Sequence, residues 1–144
     1  MNKSNKMLLV IDTNVLLVSI APKSKYHWIY QAIISGKISI AVSNEILEEY
    51  LEVFSRKYNY EIGNAVIRTL LELENVFFQT IHFHFYLIEN DEDDNKFADC
   101  AISANAQYLI SNDKHFNILK NIDFPVVAVK TIEEFREIYF NECI

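Results

Sequence analysis

The stretch Met7-Leu8-Leu9-Val10-Ile11-Asp12-Thr13-Asn14-Val15-Leu16 decides how the rest of the chain is read. Its first half is an unbroken apolar run, the pattern of a strand covered on both faces; an alternating run would mean one wet face. The polar triplet Asp12-Thr13-Asn14 ends that strand, and apolar residues resume at Val15 in a way that suits a helix. Lys3 and Lys6, with the apolar residues up to Ala21, have the outline of a secretory leader. A carboxylate in the middle of such a leader is costly, so strand followed by helix is the preferred reading. No other segment approaches the ~18 apolar residues of a membrane span.

Working outward, the same alternation recurs. A helix over Trp28 to Ile34 stops at Gly36, and Ile38 to Val42 is a second β-branched run. Ser43 is an N-cap for a helix carrying Ile46, Leu47, Tyr50, Leu51 and Phe54 at helical spacing. Ile62, Val66, Leu70 and Leu73 mark another helix, and Val76 to Phe85 a third strand. After the charge run Glu89 to Asp94 comes a helix holding Phe97, Ala101 and Ala104 on one face, with Asp94 placed to cap it. Tyr108 to Ile110 reads as a fourth strand ended by Ser111-Asn112-Asp113, followed by a short helical stretch at Phe116 to Leu119. Pro125 introduces a fifth β-rich run, Val126 to Val129, and Thr131 with Glu134 forms a capping box on a last helix. Strands alternating with helices predict an α/β fold with a mostly parallel sheet.

Composition bounds what such a fold does. The chain has 144 residues, 51% of them apolar, with only two Gly and two Pro, which reads as a single domain over residues 1–144 with a substantial core. Twenty acids against 13 bases leave a net charge of −7, which excludes coating of nucleic acid or membrane by bulk charge and leaves room only for a local basic groove. Cys100 and Cys143 are too few for a disulfide framework and make no metal-type pair, so a reducing cytoplasm is the simplest home.

The telling polar residues are acids. Asp12 and Asp113 close two strands and Asp94 stands at the mouth of a helix, so all three are expected at the sheet edge where open parallel sheets bind ligands. Glu49, among Ile46, Leu47, Tyr50 and Val53, can point to the same edge. Carboxylates gathered within several ångströms repel unless protons or a divalent cation neutralise them. Hard oxygen ligands at an open site select Mg²⁺ or Mn²⁺, ions that polarise a phosphodiester and lower the pKa of water.

Plainer readings compete. Asp12 and Asp94 can be helix caps, Asp113 a cap or turn residue, Asp91-Glu92-Asp93 a solvated turn, and Glu49 one surface acid beside Glu45, Glu48 and Glu52. Asp99, spaced to pair with Lys96 at i,i+3, is kept as a fifth acidic group and metal ligand or as a support behind the others. His82 and His84 read as an exposed strand face, since no Cys or further His completes a zinc set. Lys23, Lys25, Arg56, Lys57, Lys96, Lys114 and Lys120 can rim the site for phosphates, and Tyr26, His27 or Trp28 can stack on bases. Scattered lysines are more often solubilising, and Trp28 more often core.

Four segments together resemble the motifs of PIN-domain (PilT N-terminus-like) ribonucleases: Ile11 to Leu16, Ser43 to Glu49, Asp91 to Ala101 and Tyr108 to Phe116. The resemblance covers about residues 7 to 130 and is strongest to the VapC-like toxin components of prokaryotic toxin–antitoxin systems. It implies a three-layer α/β/α fold and metal-dependent hydrolysis of RNA to 5′-phosphate and 3′-hydroxyl ends. Position by position, Asp12, Glu49, Asp94 and Asp113 match the catalytic acids. Asp12, Asp94 and Asp113 would hold Mg²⁺ or Mn²⁺ and Glu49 would position or deprotonate water. Glu45 and Glu48 remain alternative registers for the second acid, and Asp93 for the third. Ser111 stands where many members have Thr, Asn112 where Gly or Arg is common; Thr13, Asn14 and Ser111 are the candidates for contacting substrate. The resemblance also implies an antitoxin partner whose basic segment enters the acidic pocket, and a homodimer face supplied by the helices spanning Ile46 to Leu73.

Two other classes stay in view. An aspartyl phosphatase of the haloacid-dehalogenase type would use Asp12 as nucleophile, but the acid it needs two residues on is here Asn14. A catalytically silent module would use the same acids to bind RNA or a protein; intact acids at all four positions favour catalysis.

Overall fold

The computed structural model describes residues 6–89 and 91–142. Lys3, Asn90 and Cys143, each part of a reading above, lie outside the described residues. The β-branched runs become β1 (Leu8–Ile11), β2 (Ser39–Val42), β3 (Val76–Phe78), β4 (Tyr108–Ile110) and β5 (Val129–Lys130). The helices are α1 (Thr13–Ser19), α2 (His27–Ile34), α3 (Asn44–Lys57), α4 (Tyr60–Glu72), α5 (Asn95–Ala104) and α6 (Ile132–Glu142), with 3-10 turns at Glu92–Asp94 and Lys114–Asn121. All five strands pair in parallel in the order β3-β2-β1-β4-β5, with Leu9 opposite Ile40 on one side and Tyr108 on the other.

The opening apolar run is the middle strand. Leu9, Val10 and Ile11 are wholly buried, as are Ile40, Ala41 and Val42 on β2 and Leu109 and Ile110 on β4. Each such Leu or Ile contributes roughly 1.5–3 kcal/mol on burial. The chain leaves β1 towards β2 and β3, then returns across the sheet to β4 and continues outward to β5. Right-handed crossovers therefore place α1 to α4 on one face and α5 on the other, making three layers. On α2, Trp28 stacks on Tyr139 at 5.2 Å and packs on Phe135 and Phe140, joining α6 to the first face. It is a packing residue, not a platform for bases. Close approach of α4 to α3 depends on Gly63, where an added Cβ would lie 2.8 Å from Ser55 Oγ.

Local signals hold at several ends. Ser43 Oγ accepts the Ile46 N–H at 3.3 Å. Thr131 and Glu134 exchange reciprocal bonds of 2.9 and 3.1 Å, and these backbone contacts hold the Glu134 carboxyl below its ordinary range.

Other expectations are corrected. The third strand ends at Phe78 and does not run to Phe85, because β3 is an edge whose only partner, β2, ends at Val42 opposite Phe78. Beyond it the chain has no regular structure, so His82 and His84 are not on a strand. The fifth strand is confined to Val129–Lys130, the residues opposite Leu109 and Ile110. Neither Asp12 nor Asp94 makes a side-chain bond that caps the helix after it. Their carboxylates are left for other partners.

Candidate functional site

The topology creates a crevice. The connections after β1 and β4, neighbours in the sheet, run in opposite directions, so their carboxyl ends flank an opening where ligands bind in open parallel sheets. Asp12 follows β1 directly, its N–H bonded to Ile110 O at 3.0 Å, and Asp113 follows β4 after Ser111 and Asn112. Asp12, Asn14, Tyr26, Asn112 and Asp113 line a cavity of about 300 Å³ at this point. Asn112 is there because its Oδ1 accepts the Ile132 N–H at 2.9 Å, tying the end of β4 to α6.

Each acid is held by named groups. Ser111 Oγ donates to Asp12 Oδ2 at 2.7 Å and accepts the Asp113 N–H at 2.9 Å, linking the first and fourth acids through one hydroxyl. Glu49, half-buried on α3, accepts the Thr13 hydroxyl on one oxygen and the Lys96 ammonium on the other at 2.7 Å. Glu45 and Glu48 are exposed on the same helix, and Thr13 and Lys96 hold neither of them. The helix is itself anchored beneath the site by wholly buried Tyr50, whose hydroxyl donates to Ile11 O.

Asp94 comes from the third direction, ahead of α5. Asn95 pins this entry with two 2.9 Å bonds between its side-chain amide and the backbone of Ile88. Asp94 Oδ2 is buried and has no hydrogen-bond partner among the described residues. Asp93, the alternative register, is exposed and pairs with Lys96 at 3.4 Å.

The electrostatics are those of crowded carboxylates. Burial is the main cause that lifts the Asp12 carboxyl to about 6, with Glu49 and Asp113 adding to it and the Ser111 bond opposing. Burial again leads in lifting Asp94 to about 7, reinforced by the charges of Asp91, Asp113 and Asp12 and offset by His115. Burial alone would lower the Lys96 pKa; the bond to Glu49 and its charge override that and raise it. Asp12, Glu49, Asp94 and Asp113 thus share one field. An orphaned buried oxygen beside carboxyls as strongly raised as those of Asp12 and Asp94 fits a divalent cation in an oxygen-rich site.

Asp99 is placed differently. Buried in α5, it accepts the Phe85 N–H at 3.0 Å and contacts His84 Nδ1 at 3.3 Å, which fastens the irregular segment after β3 to the helix. The expected pairing with Lys96 is absent, because that ammonium is taken by Glu49 and Asp93. His84 accordingly has a buried partner and is not a bare surface residue. Lys96, one of the rim cations, is committed to carboxylates. Lys25 lies over the Tyr26 ring at 5.1 Å beside the cavity.

Two residues escaped the sequence reading. Asp91 and His115 converge on Asp94, each of the three bringing a ligand atom within 4.8 Å of the others. The signal was the Asp113-Lys114-His115 run on a 3-10 turn, where a side chain two positions beyond a strand-end acid can fold back towards it.

Residues 8–115 match the family model of the PIN domain. No curated protein matches the chain. Among solved structures, the fold is similar to a chain of VapBC2 from Rickettsia felis bound to a DNA fragment from their promoter. The TM-score is 0.60 at 18% identity, over 87% of this chain and 98% of that one. It is also similar to VapBC-1 from nontypeable Haemophilus influenzae, with TM-score 0.58, 20% identity, and coverage of 88% and 99%. FitAB bound to an IR36 DNA fragment gives 0.53 at 14%, over 86% and 94%. At these identities the likeness shows the fold.

Proposed function

Because the chain belongs to the PIN-domain family, we propose that it is a metal-dependent endoribonuclease serving as the toxin of a toxin–antitoxin pair. The observation that carries the reading is the buried Oδ2 of Asp94, which has no hydrogen-bond partner among the described residues and lies in the same field as Asp12, Asp113 and Glu49.

In this proposal Asp12, Asp94 and Asp113 hold Mg²⁺ or Mn²⁺, directly or through water. A divalent cation supplies Lewis-acid stabilisation of charge on a phosphodiester when bound. Glu49, steadied by Thr13 and Lys96, takes a proton from water as its oxygen attacks phosphorus. The bond from phosphorus to the 3′ oxygen breaks and that oxygen is protonated from solvent, giving 5′-phosphate and 3′-hydroxyl ends. Ser111 keeps Asp12 turned towards the site. Asn14, which lines the same cavity as Asp12, is the candidate for touching substrate, whereas the hydroxyls of Thr13 and Ser111 are buried and bonded to Glu49 and Asp12 and act through those acids.

The partner is an antitoxin with an arginine-bearing segment, since guanidinium pairs well with clustered carboxylates. VapBC and FitAB assemblies share the fold, which supports that reading. Tyr60, Ile62 and Leu71 on α4 are exposed, in keeping with a homodimer face on the α3–α4 pair. In this proposal the protein acts in the cytoplasm; among the described residues no helix is long and apolar enough to cross a membrane, and Cys100 is a free thiol.

The test is cleavage of a labelled RNA pool with Mg²⁺ or Mn²⁺ by wild type, D12N and a chelated sample. Cleavage lost in both controls supports the nuclease reading. A folded, metal-loaded wild type that leaves every RNA intact replaces it with a binding module.

A further inference from the structure

His115 brings the only imidazole into the acid cluster among the described residues, and its surroundings are unusual for a surface histidine. Its Nδ1 lies 3.3 Å from Asp91 Oδ2, 3.6 Å from Asp94 Oδ2 and 3.5 Å from Asp113 Oδ1. One ring N–H can satisfy one of these oxygens, and all three contacts are longer than a good N–H···O bond. They lie close to the spacing of atoms around a shared cation. Neighbouring ligands around one cation, each about 2.1 Å from it, sit roughly 3.0–3.5 Å apart.

The donors are held for that purpose by their other bonds. Asp91 Oδ1 accepts the Asp93 N–H at 3.2 Å, leaving Oδ2 facing His115. Asp113 Oδ1 accepts the His115 backbone N–H at 2.9 Å, which folds the ring back over the acids. Asp94 Oδ2, the atom facing His115, is buried without a hydrogen-bond partner among the described residues. It is a third donor aimed into the same space.

We propose that Asp91, Asp94 and His115 form a mixed nitrogen and oxygen site for a first-row transition cation such as Mn²⁺, taken in preference to Mg²⁺. The inference deepens the nuclease reading and rests on it, adding Asp91 and His115 to the acids. Mg²⁺ prefers an all-oxygen octahedron and keeps its waters, whereas first-row transition ions also accept imidazole nitrogen, and Mn²⁺, which takes carboxylates readily, suits a site of two carboxylates and one imidazole. The His115 side chain is 55% exposed and that of Asp94 15%, so the histidine closes the solvent side of the site and the aspartate its floor.

The experiment is Mn²⁺ titration of the full chain without RNA, read by electron paramagnetic resonance, with electron spin echo modulation to detect directly bound nitrogen. Wild type is expected to show ¹⁴N modulation from bound Mn²⁺. H115A should lose the modulation and bind Mn²⁺ at least about ten-fold more weakly, since even outer partners of metal ligands are worth that much. D91N should weaken Mn²⁺ but keep the nitrogen signal. Competing Mg²⁺ should displace Mn²⁺ more readily from H115A than from wild type. Nitrogen-free Mn²⁺ in wild type, or H115A binding as tightly as wild type, overturns the proposal. RNA cleavage in Mg²⁺ on the same wild-type sample separates the two readings: if it persists in that case, the nuclease reading stands without this site. Failure of wild type to bind Mn²⁺ at all overturns the site, and absence of cleavage overturns the nuclease reading as well.

Discussion

Ser111 and Asp12, on adjacent strand ends, are joined by a 2.7 Å bond from hydroxyl to carboxylate, and the same hydroxyl receives the Asp113 N–H. This oxygen sets the spacing of two proposed metal ligands. Ser111→Ala should cost about 1 kcal/mol of stability and lower metal-dependent cleavage by roughly ten-fold, since it frees Asp12 to turn. Ser111→Thr, which keeps the hydroxyl, should retain both. Urea melts and a cleavage assay on the three proteins check this.

Burial of Asp12 and Asp94, reinforced by the neighbouring acids, makes the metal-free protein pH-dependent in an unusual direction. Asp12 and Asp94 are raised from 3.8 to about 6 and about 7, so between about pH 4 and 7 the folded chain holds protons that the unfolded chain has released. Their contribution to stability therefore falls as pH rises through that window. Chelated protein should gain more melting temperature from D12N or D94N at pH 7.5 than at pH 5, by several degrees. Added Mn²⁺ should stabilise wild type most at pH 7.5. Thermal melts at the two pH values, with and without cation, read both effects.

Lys96 bridges Glu49 and Asp93 with its own side chain only 13% exposed. Lys96→Met leaves Glu49 half-buried without its cation, which should cost about 1–3 kcal/mol and slow cleavage. Lys96→Arg should recover most of the stability. A rate that recovers with it assigns Lys96 to orienting Glu49; recovery of stability alone assigns it to the fold.

Asp99 serves the segment after β3 through Phe85 and His84. Asp99→Ala should destabilise by about 1–3 kcal/mol, because it leaves the Phe85 N–H without its acceptor. Asp99→Asn, which still offers an oxygen, should be milder, and Mn²⁺ affinity should be close to wild type in both. Calorimetric Mn²⁺ binding separates this from a role as metal ligand, which would lose affinity in both variants.

How much was legible follows from which forces act locally. Met7 to Ile11 and Ile38 to Val42 announce themselves as central strands because burial on both faces leaves no polar position to alternate. The capping box at Thr131 and Glu134 closes within one helical turn and needs no partner elsewhere. Val76 to Phe85 misleads for the converse reason: its β-rich composition is real, but a strand lasts only as long as its neighbour.

By itself, then, the sequence determined an alternating α/β chain with a parallel sheet and put Asp12 and Asp113 at the ends of strands, since hydrophobic pattern and chain order suffice for both. Tertiary structure alone decided that those strands are neighbours and that Glu49 is the glutamate beside Thr13 and Lys96. It also decided that Asp99 turns to His84, and that Asp91 and His115 meet over Asp94. These contacts join side chains far apart in the chain, and their directions are set only when whole helices and strands dock.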